Sequence, residues 1–116
     1  MRTRDMRAML EAMPTVLADL PFTLSITRDG KNRVVRVGGE LDIATRNLVR
    51  RACLRGRHKA VVVDMAGTTF MDCSGYGGLV AARRVLQAHG GSLTLHNQAG
   101  QPAELLLMLG LLEVCS

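Results

Sequence analysis

Apolar and polar positions alternate from Phe22 to Thr27, with Phe22, Leu24 and Ile26 on one side and Thr23, Ser25 and Thr27 on the other. That is the period of a half-buried strand. Asp29 and Gly30 supply a turn and Val34, Val35 and Val37 follow, so the segment is expected to form a hairpin. Gly38 and Gly39 are expected to break the second strand before Glu40, Leu41 and Asp42. Beyond them the period changes: Leu48, Val49, Ala52 and Cys53 share one face of a helix that Thr45 can cap, with arginines largely on the other face. Ala60 to Val63 is an uninterrupted, β-branched run ending at Asp64, the pattern of a central parallel strand buried on both faces. After a loop, Leu79, Ala82, Val85 and Leu86 return to helical spacing until Gly90 and Gly91. Ser92 to His96 alternates as a further strand, and a last helix is expected from near Pro102 through Glu104 to Leu109, stopping at Gly110. Leu111, Leu112 and Val114 leave room for a short extended tail.

The order is strand, strand, helix, strand, helix, strand, helix. Each later strand follows a helical crossover, which parallel pairing requires and which is right-handed. The expectation is a single α/β domain: a mixed, mostly parallel sheet of four to five strands with an N-terminal hairpin, flanked by helices. Residues 1–20 are set apart as an N-terminal extension, because Met6, Met9, Leu10 and Met13 make a short amphipathic helical pattern that Pro14 ends or kinks. A loosely docked or frayed extension is preferred there, with a partner-binding helix as the alternative.

Composition narrows the class. A chain of 116 residues holds one compact core, and with no Trp, one Tyr and two Phe that core is aliphatic. The net charge of +5 comes from arginines near the start and a second group at Arg46, Arg50, Arg51, Arg55, Arg57 and Lys59. No aromatic residues are interleaved to stack on bases, so a solvated helix face, or a docking surface for an acidic protein, is preferred over nucleic acid. Cys53, Cys73 and Cys115 lack the paired spacing of a zinc site or a redox dithiol, which fits a reducing cytoplasm. Glu11, Pro14 and Asp19 interrupt the early apolar runs, and no stretch approaches the roughly 20 apolar residues of a membrane span.

The stretch Phe70-Met71-Asp72-Cys73-Ser74-Gly75-Tyr76-Gly77-Gly78-Leu79 concentrates an acid, a thiol, a hydroxyl and three glycines where a helix should begin. A helix N-terminus offers unpartnered NH groups and a positive dipole end, suited to a capping hydroxyl or an anion. Glycines there cost roughly 1 kcal/mol each relative to alanine in a helix interior, so close packing or access by a partner must compensate. Capping by Asp72 and Ser74 is the purely structural account. A catalytic Ser74 or Cys73 would need a base, yet His58, His89 and His96 are more simply placed at surfaces or strand ends, and the Gly-x-Ser-x-Gly order is absent. The glycine spacing matches neither common nucleotide-binding motif. A phosphoacceptor carboxylate at Asp64 or Asp72 would want clustered acids and a lysine, and Lys59 lies at the wrong end of its strand.

Three segments in order resemble the STAS family, specifically bacterial anti-sigma factor antagonists, over about residues 22 to 114: Val37-Gly38-Gly39-Glu40-Leu41-Asp42; Val61 to Met65 continuing to Phe70-Met71-Asp72-Cys73-Ser74-Gly75; and Gly90-Gly91-Ser92-Leu93 with the later Leu109-Gly110-Leu111 helix end. The resemblance implies a STAS-like domain over residues 21–116, expected to lack a further C-terminal helix common in the family. It implies a phosphoacceptor at Ser74 and a partner-binding surface of Asp42, Asp72, Cys73, Ser74, Gly75, Tyr76 and Gly77. Asp42 would contact the kinase or orient the acceptor loop, and Asp72 would cap the helix. Family members commonly carry Ser where Cys73 stands, and a thiol at a helix N-terminus adds a secondary redox reading. The implied partner is an anti-sigma factor with serine kinase activity, with a serine phosphatase as an optional second one. No catalysis, cofactor, metal, direct nucleic acid or membrane binding is expected, and the location expected is cytoplasmic. The alternative is a constitutive STAS scaffold or accessory subunit without phosphoswitching.

Overall fold

The computed structural model describes residues 22–55 and 60–110. The leader pattern around Met6 to Met13, His58, Lys59 and the Leu111 to Val114 tail lie outside the described residues. Strands β1 (Phe22–Asp29), β2 (Asn32–Leu41), β3 (Ala60–Met71) and β4 (Ser92–His96) form one sheet in the order β1-β2-β3-β4. The first pair is antiparallel and the other two are parallel. Helix α1 (Arg46–Leu54) crosses from β2 to β3, α2 (Cys73–Ala88) crosses from β3 to β4, and α3 (Gly100–Leu109) follows β4. This is the α/β architecture that the alternation of strand and helix periods predicts.

The hairpin turn is Gly30-Lys31, with Gly30 at φ 63°, the positive value that the first central position of a type II′ turn needs. Strand alternation sends Val35, Val37, Val61, Val63, Leu93 and Leu95 to one face, where α1 contributes Val49, Ala52 and Cys53 and α2 contributes Leu79, Ala82 and Leu86. These aliphatic side chains make one core. Val85, expected on the buried side of α2, is 37% exposed. Helix α2 stops in a Schellman arrangement: Gly90 N donates to Gln87 O at 3.1 Å and Gly91 N to Leu86 O at 2.7 Å, with Gly90 at φ 80°.

Three expectations are corrected. Gly38 and Gly39 do not break β2, which continues to Leu41, because a side chain at Gly38 would meet the Thr23 hydroxyl while Gly67 of β3 passes close on the other side. The loop expected after Asp64 is strand: β3 runs to Met71 through two bulges, with Met65 and Ala66 opposite Val37 and then Thr69 as the extra residue. Finally, β3 is central but is not fully covered on both faces. Val61 and Val63 are buried, whereas Val62 is half-buried on the face opposite α1 and α2.

Candidate functional site

The ends of β2 and β3 lie side by side, Leu41 paired with Met71, and each runs through an aspartate into a helix. At the first turn, Asp42 Oδ1 accepts from Ala44 N at 2.9 Å and Thr45 N at 3.2 Å. Thr45 Oγ1 donates to Glu40 O at 2.9 Å and accepts from Asp42 N at 3.0 Å. Thr45 stands at the N-cap position of α1, but its side chain makes no capping bond to the helix, contrary to the sequence expectation. Its hydroxyl is drawn back to tie the turn instead. Ile43, between these groups, is 72% exposed.

At the second turn, Asp72 is the N-cap of α2, and its Oδ1 accepts from Gly75 N at 2.9 Å. Cys73 and Ser74 are therefore the first two helical residues. Asp72 N donates to Leu41 O at 3.2 Å, joining the two turns. The three glycines divide by role. A Cβ at Gly75 would land on the Leu41 carbonyl, and one at Gly78 would stand 3.1 Å from Arg46 Cβ, so both permit close packing. At Gly77 a Cβ would meet nothing within 4 Å. Gly75, expected among the contact residues, is buried under the turn and acts through packing.

Cys73 is exposed, while Ser74, Tyr76, Gly77, Asp42 and Asp72 are half-buried. Tyr76 Oη donates to Leu109 O at 3.2 Å, tying the first turn of α2 to the end of α3. Among the described residues the Ser74 hydroxyl has no hydrogen-bond partner, because the capping role falls to Asp72. The residues singled out from sequence thus meet at the carboxyl end of the parallel strands, where open α/β sheets place their binding sites.

Gln101 carries no motif, and sequence reasoning passed over it. Strand β4 ends at His96, leaving the far end of β3 without a neighbour on that side. The Gln101 carboxamide takes the vacant place: Oε1 accepts from Met71 N at 2.8 Å and Nε2 donates to Met71 O at 2.7 Å. This fixes the residue immediately before Asp72.

Other titratable groups lie elsewhere. Cys53 is buried in the core, and burial pushes its thiol up to about 12. Asp64 sits on the open face of the sheet, where hydrogen bonds from Asn97 and the Ala66 amide hold its carboxyl below the usual range and Arg36 stands 3.5 Å away. A shallow cleft of about 320 Å³ between Ser25, Arg36, Gly38, Asp64 and Gly67 occupies that face. His89 closes α2 at the end opposite Ser74, its Nδ1 2.9 Å from Val85 O, so it is no base for that hydroxyl. Among the described residues no group of three or more His, Cys, Asp or Glu is placed to hold a metal ion, and no helix is long and apolar enough to cross a membrane.

Comparison with known proteins places this geometry. No curated protein matches the sequence. Among solved structures, the anti-sigma factor antagonist SpoIIAA in its unphosphorylated form is 23% identical, with a TM-score of 0.71 over 81% of this chain and 86% of that one. SpoIIAA of Bacillus in the phosphorylated form is 25% identical, with a TM-score of 0.63 over 82% and 88%. An anti-sigma factor antagonist from Mycobacterium paratuberculosis is 21% identical, at 0.70 over 79% and 80%. The same fold recurs inside a murine solute carrier 26 family anion transporter, 15% identical, at 0.66 over 90% of this chain and 21% of the transporter. The STAS domain family model matches residues 23–115, from the second residue of β1 through the last helix, and the chain belongs to the STAS domain family.

Proposed function

We propose that this chain is an anti-sigma factor antagonist: its unphosphorylated form binds an anti-sigma factor and frees the sigma factor, and phosphorylation of Ser74 weakens that binding. The observation that carries the reading is the division of labour at the start of α2. Asp72 caps the helix, so that among the described residues the Ser74 hydroxyl is uncommitted, beside exposed Cys73 and open Gly77. The fold is shared with antagonists solved in phosphorylated and unphosphorylated forms.

The chemistry fits a substrate serine. A phosphate there adds about −1.5 to −2 charges at the positive end of a helix, which the fold accommodates with little rearrangement. The effect falls on the partner, which must desolvate a new charge where it previously met a hydroxyl and glycine backbone. A loss of about 2.8 kcal/mol weakens binding about 100-fold. In this scheme Asp42, Ile43, Cys73, Tyr76 and Gly77 form the contact surface, while Asp72 and Gly75 hold its shape. The partner is an anti-sigma factor with serine kinase activity, a serine phosphatase resets the switch, and the protein works in the cytoplasm without catalysis of its own.

Capture from native cell lysate with the unmodified protein, Ser74→Ala and Ser74→Asp, read by mass spectrometry, tests this. The expected result is an ATP-binding anti-sigma factor retained by the unmodified and Ala forms and lost by the Asp form. Equal retention of a different protein by all three would replace the switch with a constitutive scaffold, the role open to a fold that also occurs within a transporter.

A further inference from the structure

The arginines of α1 are not equivalent. Arg50 and Arg51 are exposed, as a solvated helix face requires, whereas Arg46, the first residue of the helix, is half-buried. A Cβ built on Gly78 would stand 3.1 Å from Arg46 Cβ, so the Arg46 side chain leaves α1 where that helix touches α2. Its Nε is buried without a hydrogen-bond partner. A buried donor of a charged group left without an acceptor is costly, and helix capping does not account for this one, because a cation at the first position meets the unfavourable end of the helix dipole. Among the described residues no carboxylate pairs with Arg46. Asp42 and Asp72, the acids of the two adjoining turns, spend their Oδ1 atoms on backbone amides.

The part of α2 that Arg46 meets is the part that carries Ser74. Ser74 and Gly78 are four residues apart on that helix and share one face, about 6 Å apart along its axis. Side chains lean toward the N-terminus of their own helix. Both α1 and α2 begin at the carboxyl end of the parallel strands, so the Arg46 stem leans from Gly78 toward the turn that holds Ser74. A cationic donor without an acceptor therefore lies about one helical turn from a hydroxyl that, once phosphorylated, would bring three acceptor oxygens.

We propose that Arg46 receives the phosphate on Ser74 and pairs it within the chain, an inference that rests on the switch reading above. The Nε–H and one Nη–H donate to two phosphate oxygens, in the forked geometry that a guanidinium offers and an ammonium does not. Phosphorylation then adds a link between the starts of the two crossover helices. The partner meets a fixed, partly neutralised phosphate rather than a freely rotating one.

The test uses full chains with serine or phosphoserine at position 74, the latter installed during translation, so that no kinase is involved. In 15N NMR of the otherwise unaltered chain, the Arg46 Nε–H resonance is expected to move downfield and exchange more slowly when Ser74 is phosphorylated. In urea denaturation, phosphorylation should raise the folding equilibrium constant of the parent about tenfold more than that of Arg46→Gln. Arg46→Lys, which keeps the charge and loses the fork, should fall between them. Each variant is compared with its own unphosphorylated form, which removes the cost of the substitution itself, and the resonance of the parent decides the matter even where a variant folds poorly. An unmoved Nε–H, or an equal gain in the parent and in Arg46→Gln, would overturn the pairing and assign the phosphate to the α2 amides alone. Capture from lysate, which tests whether Ser74 is the switch, involves no Arg46 variant, so the two readings fail separately.

Discussion

The two strand-to-helix turns at the carboxyl end of the sheet are built with the same device and finished differently. In each, an aspartate follows the strand and its carboxylate accepts amide protons from residues two or three further on: Ala44 and Thr45, just ahead of α1, and Gly75, inside the first turn of α2. The Asp42 turn then closes on itself, because the Thr45 hydroxyl both donates to Glu40 O and accepts from Asp42 N. At the Asp72 turn the carboxylate does the capping, and among the described residues the Ser74 hydroxyl has no hydrogen-bond partner. The threonine is locked into its turn, and the serine, relieved of capping by its neighbour, is the one that the proposed switch would use. The difference lies in the bonding of the hydroxyl, not in the residue class.

Substitutions can break this comparison in a graded way. Gly75→Ala should have the largest effect, because its Cβ would strike the Leu41 carbonyl that joins the turns. A loss of about 3 kcal/mol is expected in urea denaturation, and parent-like stability would mean that α2 does not pack against β2 as described. Thr45→Val removes a hydroxyl with two backbone partners and should cost about 1.5 kcal/mol by the same measurement. Gly77→Ala should act in the opposite sense. With nothing within 4 Å to obstruct it, the methyl should stabilise the helix by about 0.5–1 kcal/mol while weakening capture of the partner. Ser74→Ala should change stability by less than about 0.5 kcal/mol. A cost for Ser74→Ala as large as that for Thr45→Val would erase the distinction between the turns.

Much of the fold is legible in the sequence because it is local. The hairpin turn at Gly30, the alternation of Ser92 to His96 and the glycine stop after α2 each rest on a backbone requirement that the residue type declares. The second half of β3 is not legible, and the reason is phase. Val61, Val63 and Met65 are buried at odd positions; each bulge then shifts the register by one residue, so burial moves to Thr68 and back to Met71. A period-two search loses such a strand at its first bulge. The buried Arg33 was within reach, since it shares the phase of Val35 and Val37, but a charged residue is ordinarily assigned to the solvent side.

At the site, the gathering of Asp42, Asp72 and Ser74 is what the family resemblance implies, and the pairing of Leu41 with Met71 at adjacent strand ends produces it. Which hydroxyl is bound and which is free does not follow from spacing. Nor does the role of Gln101, whose partner Met71 is thirty residues away and offers only backbone atoms, which every residue has. Recognition by backbone leaves no trace in the partner's side chain.

The Gln101 clasp also makes one amide proton an unusual clock. The Met71 N–H is held by a side chain near the start of a helix rather than by a neighbouring strand, so its exchange with deuterium requires the Gln101 carboxamide to let go rather than the sheet to open. Its protection factor would time that release directly, one residue from Asp72.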